Sequence, residues 1–339
     1  MNQQIRHRKP YDTDTEIMRS LAALFVVMIH VSGTASFSAI FYNSIARFSV
    51  PVFVLISGYY MLARESSGWQ LARKSLRLFL LMLVWSSFYY LYDLLFNGKA
   101  FSGVGDLFTY LLTEPVHLWY LYAAILLYLF TPLLHILLVH ASRQTLCYIL
   151  GLFFVFGSVV AMLLRSESFP LLAVIVDKMK APYMLGFFFL YLLGGYWRKY
   201  GPPKKAHRRV LYLLGLAGAV VTVSGVWMMS LHGLSEDLFL SFFSPNALAM
   251  GMAFFVFVQQ AFRSLPSPSN NLRIWIHTFA GCTLGIYLLH PMIAAILQRI
   301  AAFSAAPALA IPEKTLAAFL LSALLIFVLK KLPVLRHLA

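Results

Sequence analysis

Long apolar segments alternate with short polar stretches along the whole chain. A helix that crosses about 30 Å of hydrocarbon needs about 20 predominantly apolar residues. Segments of about this length predict about ten transmembrane helices, near residues 17–36, 43–63, 76–96, 117–139, 145–164, 181–197, 210–231, 238–262, 274–298 and 312–329. The pattern therefore predicts an all-α, polytopic integral membrane protein.

Composition agrees with this class. Of 339 residues, 60% are hydrophobic and 12% are charged, and the mean hydropathy is +0.77, whereas soluble domains are about 45–50% apolar. The segments between the apolar runs are too short for a second domain. We therefore expect one membrane domain over 1–339, with a cytoplasmic N-terminal segment 1–16 and no extramembrane domain.

The positive charges indicate how the chain is oriented. On the side of the membrane that holds the N-terminus lie 20 of the 27 Lys and Arg residues. Loops rich in Lys and Arg stay in the cytoplasm, so both termini are predicted to be cytoplasmic. The formal charge of +15 is then mainly topological, and no nucleic-acid partner is implied. The basic run at 198–209 is interpreted as a loop that faces anionic lipid.

Two ionisable residues, Arg19 and His30, stand in the first apolar segment. Eleven residues make about three helical turns, so both side chains lie on one helix face, about 16 Å apart. Ionisable residues inside a membrane are costly and usually face a protein interior or a water-filled cavity. Arg19 alone would be explained by snorkelling to lipid phosphate, whereas His30 lies beyond the bilayer midpoint. No second histidine is expected at matching depth, so a haem pair is not indicated.

Glu16 precedes Arg19 by three residues and has two compatible interpretations. With Thr13 it forms a capping box at the start of the first helix. It is also close enough on the helix surface to pair with Arg19 and hold the guanidinium still.

Further polar residues lie in or at the ends of the other predicted helices. Snorkelling, positive-inside anchoring and an aromatic interface belt explain several of them, and Ser57-Gly58 in the second helix favours close packing. The candidates for a functional role are Arg47, Arg73, Lys74, Arg77, His117, Trp119, Tyr287 and His290.

Four of these segments, in this order, resemble the acyltransferase 3 family of multipass bacterial membrane enzymes. They are Glu16 with Arg19 and His30, Arg47 to Tyr59, His117-Leu-Trp119-Tyr120, and Gly285-Ile-Tyr287-Leu-Leu-His290. The likeness covers essentially the whole chain and is closest to the stand-alone type that O-acetylates enterobacterial common antigen. Some relatives carry an extracytoplasmic hydrolase-like domain, and no such domain is expected here.

The resemblance implies an O-acyltransferase in the bacterial inner membrane that moves an acyl group, by family habit acetyl, from cytoplasmic acyl-CoA to a glycan or lipid-linked saccharide. His30 would act as general base, with Glu16 and Arg19 as further catalytic residues. The CoA end would meet Arg19, Arg73, Lys74 and Arg77, since guanidinium groups grip phosphate. The acceptor side would be lined by Arg47, His117, Trp119, Tyr287 and His290.

Several alternatives stay open at this point. Acetyl-CoA or another acyl-CoA is the expected co-substrate, and no permanently bound cofactor or metal is expected. His30 could instead carry the acyl group itself. A different class of protein, a transporter or glycan exporter, also uses intramembrane Arg and His for binding or proton relay. Transporters often contain internal repeats, and no convincing repeat is visible here. The acceptor and the oligomeric state are not predicted.

Overall fold

The computed structural model describes residues 12–113, 116–165, 184–264, 266, 268–300 and 303–332. Within these residues every regular element is a helix and no strand occurs, which confirms the predicted all-α class. Most of the predicted N-terminal segment 1–16 lies outside the described residues.

The α-helices are numbered here in chain order. They are α1 (Thr13–Ser32), α2 (Phe37–Ala46), α3 (Ser49–Met61), α4 (Gly68–Phe96), α5 (Val104–Thr113), α6 (Trp119–His140), α7 (Arg143–Phe154), α8 (Ala161–Arg165), α9 (Met184–Tyr200), α10 (Lys205–Leu231), α11 (Asp237–Leu240), α12 (Pro245–Ser264), α13 (Asn270–Ala280), α14 (Thr283–Ile300) and α15 (Pro307–Lys331). A 3₁₀ turn at Val116–Leu118 precedes α6, and a π-helical stretch at Val155–Val160 joins α7 to α8.

The membrane-spanning helices agree with the hydropathy pattern. In the described part of the chain, eight helical segments are long and apolar enough to cross a membrane, or nine if α13 and α14 count as one span bent by 54°. The predicted span 181–197 corresponds to α9, which has 17 residues and is shorter than these eight segments. The polytopic architecture is therefore confirmed, and its two irregular members are the bent pair and the short helix.

The second predicted span, 43–63, is interrupted near its start. Helix α2 ends before Arg47, and α3 begins after Phe48, so the interruption precedes Pro51. A proline in the first turn of a helix gives up no intrahelical hydrogen bond, and Pro51 is the third residue of α3. The interruption puts Arg47 at a turn between two helices.

Helices α3 and α9 approach each other at backbone distance. The backbone of Tyr191 fills the space that a side chain at Gly58 would occupy, and the backbone around Leu55 does the same at Gly194. Small residues permit such contacts between membrane helices. The expected packing role of Ser57-Gly58 is thereby supported, and the pair of contacts fixes α3 against the buried α9.

Helix α1 lies at the centre of the part of the fold that holds the predicted site residues. It packs against α2, α3, α13, α14 and α15. We call the end of the bundle at which α1 begins the inner end, following the predicted cytoplasmic orientation, and the opposite end the outer end.

Candidate active site

One face of α1 connects an inner cavity to a group of histidines. Arg19 and Val26 both line the inner cavity, and seven residues of helix cover about 10 Å. His30 follows Val26 by one further turn on the same face, and its side chain is exposed although it belongs to a membrane-spanning helix. The predicted alignment of Arg19 and His30 along one face therefore leads from a cavity to an accessible imidazole.

Glu16 differs from its prediction. Helix α1 begins at Thr13 with Asp12 as its N-cap, and the cap side chain makes no hydrogen bond to the helix, so the expected capping box is wrong. Glu16 is 4% exposed and forms its ion pair with His277 of α13, whose side chain is 62% exposed. Since this partner lies on another helix, Glu16 ties α1 to α13 at the inner end.

The inner cavity has a volume of about 200 Å³. The Arg19 guanidinium donates a hydrogen bond to the Thr283 hydroxyl across it, with Nη2 and Oγ1 3.0 Å apart. Polar side chains that the sequence analysis did not propose as functional residues also line it: Ser57, Tyr60, Tyr120, Tyr128 and Thr283. They come from three helices, α3, α6 and α14, so no local pattern in the sequence could have identified them together.

Of the three basic residues of α4 expected at the donor end, Lys74 is the one that reaches the cavity lining. Its Nζ lies 3.6 Å from the Met61 sulfur and 5.9 Å from the centre of the Tyr128 ring, and both of these residues line the inner cavity. The side chains of Arg73 and Arg77 are exposed on α4. The structure therefore brings Lys74 together with the cavity and leaves the two arginines at the surface.

Arg198, which the sequence analysis assigned to a lipid-facing loop, lies beside the same cavity. It is in the last turn of α9. Its guanidinium donates to the Tyr59 hydroxyl at 3.2 Å and lies 5.7 Å from the ring centre of Tyr60, which lines the cavity. Its ion pair with Asp12 is long, at 3.9 Å. The charge run at 198–209 thus has one member at the cavity entrance.

Three histidines from distant parts of the sequence meet at the outer end of α1. We call His30, His117 and His290 the histidine cluster. The ring centre of His30 lies 5.0 Å from that of His290 and 6.2 Å from that of His117, and the other two are 6.1 Å apart. The expectation that no second histidine lies at matching depth and spacing is therefore wrong as to depth, because α14 and the 3₁₀ turn before α6 bring two histidines beside His30.

The two partners of His30 are buried and retain unused ring nitrogens. His290 is 0% exposed and His117 is 8% exposed. The Nδ1 of His290 is 3.0 Å from the Ile286 carbonyl oxygen, whereas both Nε2 atoms have no hydrogen-bond partner within the described residues. Among those same residues, no group of three His, Cys, Asp or Glu side chains could hold a metal ion.

Tyr287 stands between the inner cavity and the histidine cluster. It lines the cavity, and its hydroxyl donates to the backbone carbonyl of His117. Its ring lies 6.2 Å from the His117 ring and 6.3 Å from the His290 ring. Tyr287 and His290, from one segment of the family resemblance, and His117, from another, are therefore neighbours in space.

A second, larger cavity of about 650 Å³ lies at the outer end, with Arg47 in its wall. Both Nε and Nη2 of Arg47 donate to the Asn43 side-chain oxygen, at 2.9 and 2.5 Å, which fixes the guanidinium. The charge lies 4.9 Å from the centre of the Phe242 ring, which stacks on Trp119 at 5.7 Å. Arg47 and Trp119 are thus joined through an aromatic residue that sequence analysis missed.

Charges couple the outer cavity to the histidine cluster. The Arg47 guanidinium interacts electrostatically with His30 on one side and with Asp237 and Glu236 on the other. Asp237 also lines the outer cavity. It follows a polar loop at the start of a four-residue helix, and no spacing in the sequence associates it with Arg47. The outer cavity therefore contains two opposite charges, Arg47 and Asp237, and Arg47 is the one that also acts on His30.

Comparison with known proteins gives one match. A family model described as an acyltransferase domain matches residues 13–330, a range that contains both cavities and the histidine cluster. Comparisons with curated proteins and with solved structures gave no match. The finer likeness to O-acetyltransferases of enterobacterial common antigen stays a prediction.

Proposed function

Because the chain belongs to the acyltransferase 3 family, we propose that it is a membrane O-acyltransferase. It would move an acyl group, by family habit acetyl, from acyl-CoA at the inner end to a hydroxyl of a cell-surface or lipid-linked glycan at the outer end. The observation that carries the proposal is the accessible His30 imidazole between an inner cavity that contains Arg19 and an outer cavity that contains Arg47.

The donor would enter from the inner end. Its nucleotide carries phosphates, and charge-assisted hydrogen bonds from Arg and Lys are the strong contacts for them. Arg19, Lys74 and Arg198 converge on the inner cavity from three different helices, while the exposed Arg73 and Arg77 would act farther out. The narrow arm of the donor then follows the α1 face toward His30.

The chemistry needs one base and no resident cofactor. The acceptor hydroxyl gives its proton to an unprotonated nitrogen of His30 as its oxygen attacks the thioester carbonyl carbon. A carbon–oxygen bond forms and the carbon–sulfur bond breaks. The CoA sulfur, which leaves as a thiolate, takes the proton from the imidazolium and departs as a thiol. His30 returns to its neutral form, and the ester product remains on the acceptor.

The acceptor would bind in the outer cavity. Phe242, on which Trp119 stacks, supplies apolar ring surface, and Arg47 and Asp237 supply a donor and an acceptor for hydroxyl groups. Ligand sites commonly combine such an aromatic lining with a few fixed polar groups. Arg47 lies close enough to His30 for its charge to act on the imidazole, so an acceptor held beside Arg47 would lie near the base.

The test is transfer of labelled acetyl from acetyl-CoA into the glycan and glycolipid fraction of membrane vesicles. We expect His30→Ala to lower transfer by about 10²–10⁴-fold, the usual contribution of a general base. His207→Ala, at an exposed histidine in the first turn of α10, is the matched control and should keep wild-type transfer. Both variants are compared at equal amounts of inserted protein.

Each other outcome identifies a different error. Equal labelling by wild type and His30→Ala keeps the enzyme and overturns the base. No labelling by wild type, with the native acceptor present, argues against the proposed donor. Movement of intact glycan across the vesicle membrane without label would favour the exporter instead.

A further inference from the structure

The side chain of His290 has a hydrogen-bond acceptor that its surroundings leave unused. Because a carbonyl oxygen only accepts, the 3.0 Å contact with Ile286 assigns the His290 proton to Nδ1 and leaves a lone pair on Nε2. That atom is fully enclosed in a residue that is 0% exposed, and it has no partner in the described part of the chain. Buried polar atoms are nearly always hydrogen-bonded, so an unpaired one calls for an explanation.

His30 is the nearest ring that can supply the missing partner. The two ring centres are 5.0 Å apart, with a 55° angle between the planes. An N–H···N hydrogen bond of about 3 Å between two imidazoles separates their ring centres by about 5 Å. The His117 ring is farther from His290, at 6.1 Å. The exposed His30 ring therefore needs to rotate, and its helix does not need to move.

We propose that His290 is a positioning residue for His30: its Nε2 accepts a hydrogen bond from a ring N–H of His30 and so leaves the opposite His30 nitrogen free as the base. The inference rests on the proposed function, which assigns the base to His30. In serine hydrolases an aspartate holds the catalytic histidine in the required tautomer. His30 makes no ion pair with a carboxylate within the described residues. The neutral imidazole of His290 would therefore hold His30 in the required tautomer, as the aspartate does in serine hydrolases.

A neutral partner suits this depth in the membrane. A buried carboxylate would be costly without full pairing, whereas His290 needs only the hydrogen bond to Ile286 and the one to His30. During transfer the acceptor proton moves to the free His30 nitrogen and later to the CoA sulfur. The other His30 proton stays in the hydrogen bond to His290, which remains neutral throughout.

The experiment compares two substitutions that differ in one property. His290→Gln keeps a side-chain oxygen that can accept from His30, and His290→Leu has a similar size but no acceptor. Each is purified as full-length protein and assayed for kcat and for the KM of acetyl-CoA. We expect His290→Leu to lower kcat by about 10–100-fold, as removal of an outer-shell partner typically does, with the KM unchanged and His290→Gln closer to wild type.

A second readout does not depend on acyl transfer. Diethyl pyrocarbonate modifies the unprotonated nitrogen of an imidazole, and peptide mass spectrometry reports its rate at His30. A hydrogen bond to His290 increases the nucleophilicity of the opposite nitrogen, so His290→Leu should slow modification of His30 several-fold while His290→Gln does not. His207→Gln, far from the cluster, should leave the rate unchanged.

The outcomes separate this inference from the proposed function. Equal modification rates at His30 in wild type and His290→Leu would overturn the positioning role, as would a rise in KM with unchanged kcat. If wild type transfers no acetyl but His290→Leu still slows modification, the positioning role stands and the proposed function fails. Where His290→Leu does not fold, His290→Asn replaces it, because its shorter amide cannot reach His30.

Discussion

Substitution of Gly58 by alanine tests how tightly α3 must be held against α9. A Cβ at this position would lie 2.6 Å from the carbonyl carbon of Tyr191 and 2.7 Å from its Cα, and closer still to its carbonyl oxygen. Carbon atoms in contact prefer about 3.5–4.0 Å. The two helices must therefore separate by about 1 Å, since backbone atoms on both sides cannot rotate away as a side chain can.

The free-energy cost of Gly58→Ala depends on the packing around the contact between α3 and α9. Overpacking of a core costs about 1–3 kcal/mol and occasionally more, and here neighbouring residues such as Leu55 and Leu190 are completely buried. Because the contact is between two rigid backbones, we expect Gly58→Ala to lower the free energy of unfolding by the upper value of this range, about 3 kcal/mol. For a chain of this size such a loss lowers the melting temperature by on the order of 5–10 °C.

The assay is thermal unfolding of the detergent-solubilised protein, followed by size-exclusion chromatography after heating. Gly151→Ala is the matched control, because Gly151 is within α7 and a Cβ there meets no atom within 4 Å. It should unfold at or slightly above the wild-type temperature, as alanine favours the helix. Equal melting temperatures for the two variants would refute the close approach of α3 and α9.

Three further predictions concern the two cavities. Arg19→Ala should raise the KM for acetyl-CoA by about 10-fold or more, which is the contribution of a hydrogen bond to a charged group. The KM for S-acetylpantetheine, which lacks the nucleotide, should not change. Lost acceptor turnover at unchanged donor KM would reverse the assignment of the two ends. Lys74→Ala should raise the acetyl-CoA KM more than Arg73→Ala when the two are measured side by side, because Lys74 contacts residues that line the inner cavity and the Arg73 side chain is exposed. Equal effects on the KM would contradict this. Asp237→Ala should raise the KM for the acceptor by roughly 2–10-fold, about one hydrogen bond. The donor KM, measured in the same vesicles, should stay constant, and a change confined to the donor KM would exclude Asp237 from the acceptor site.

The sequence predicted those parts of the molecule that depend on one helix at a time. Spans could be located because a membrane helix must be apolar over its whole length. The alignment of Arg19 with His30 is equally local, since it needs only the helical repeat. The predicted capping box failed because Glu16 has a tertiary partner, His277, which follows it by 261 positions.

What the sequence could not provide is the set of contacts between helices. His30 and His290 are neighbours because α1 and α14 pack together, and their separation in the chain carries no periodic signal. The resemblance marked both residues without indicating that they meet. Arg198 was missed for a related reason, since a basic residue at a helix end looks the same whether it faces lipid or the entrance of a cavity.

The bend between α13 and α14 has an electrostatic consequence. Because the chain turns at Gly281 and Cys282, α14 begins inside the bundle, at Thr283, which accepts a hydrogen bond from Arg19 and lines the inner cavity with it. The first backbone N–H groups of a helix have no intrahelical acceptors, and they carry the positive end of its dipole. The interior of the bundle thereby gains partial positive charge beside Arg19 from the backbone, without the cost of burying another ionised side chain.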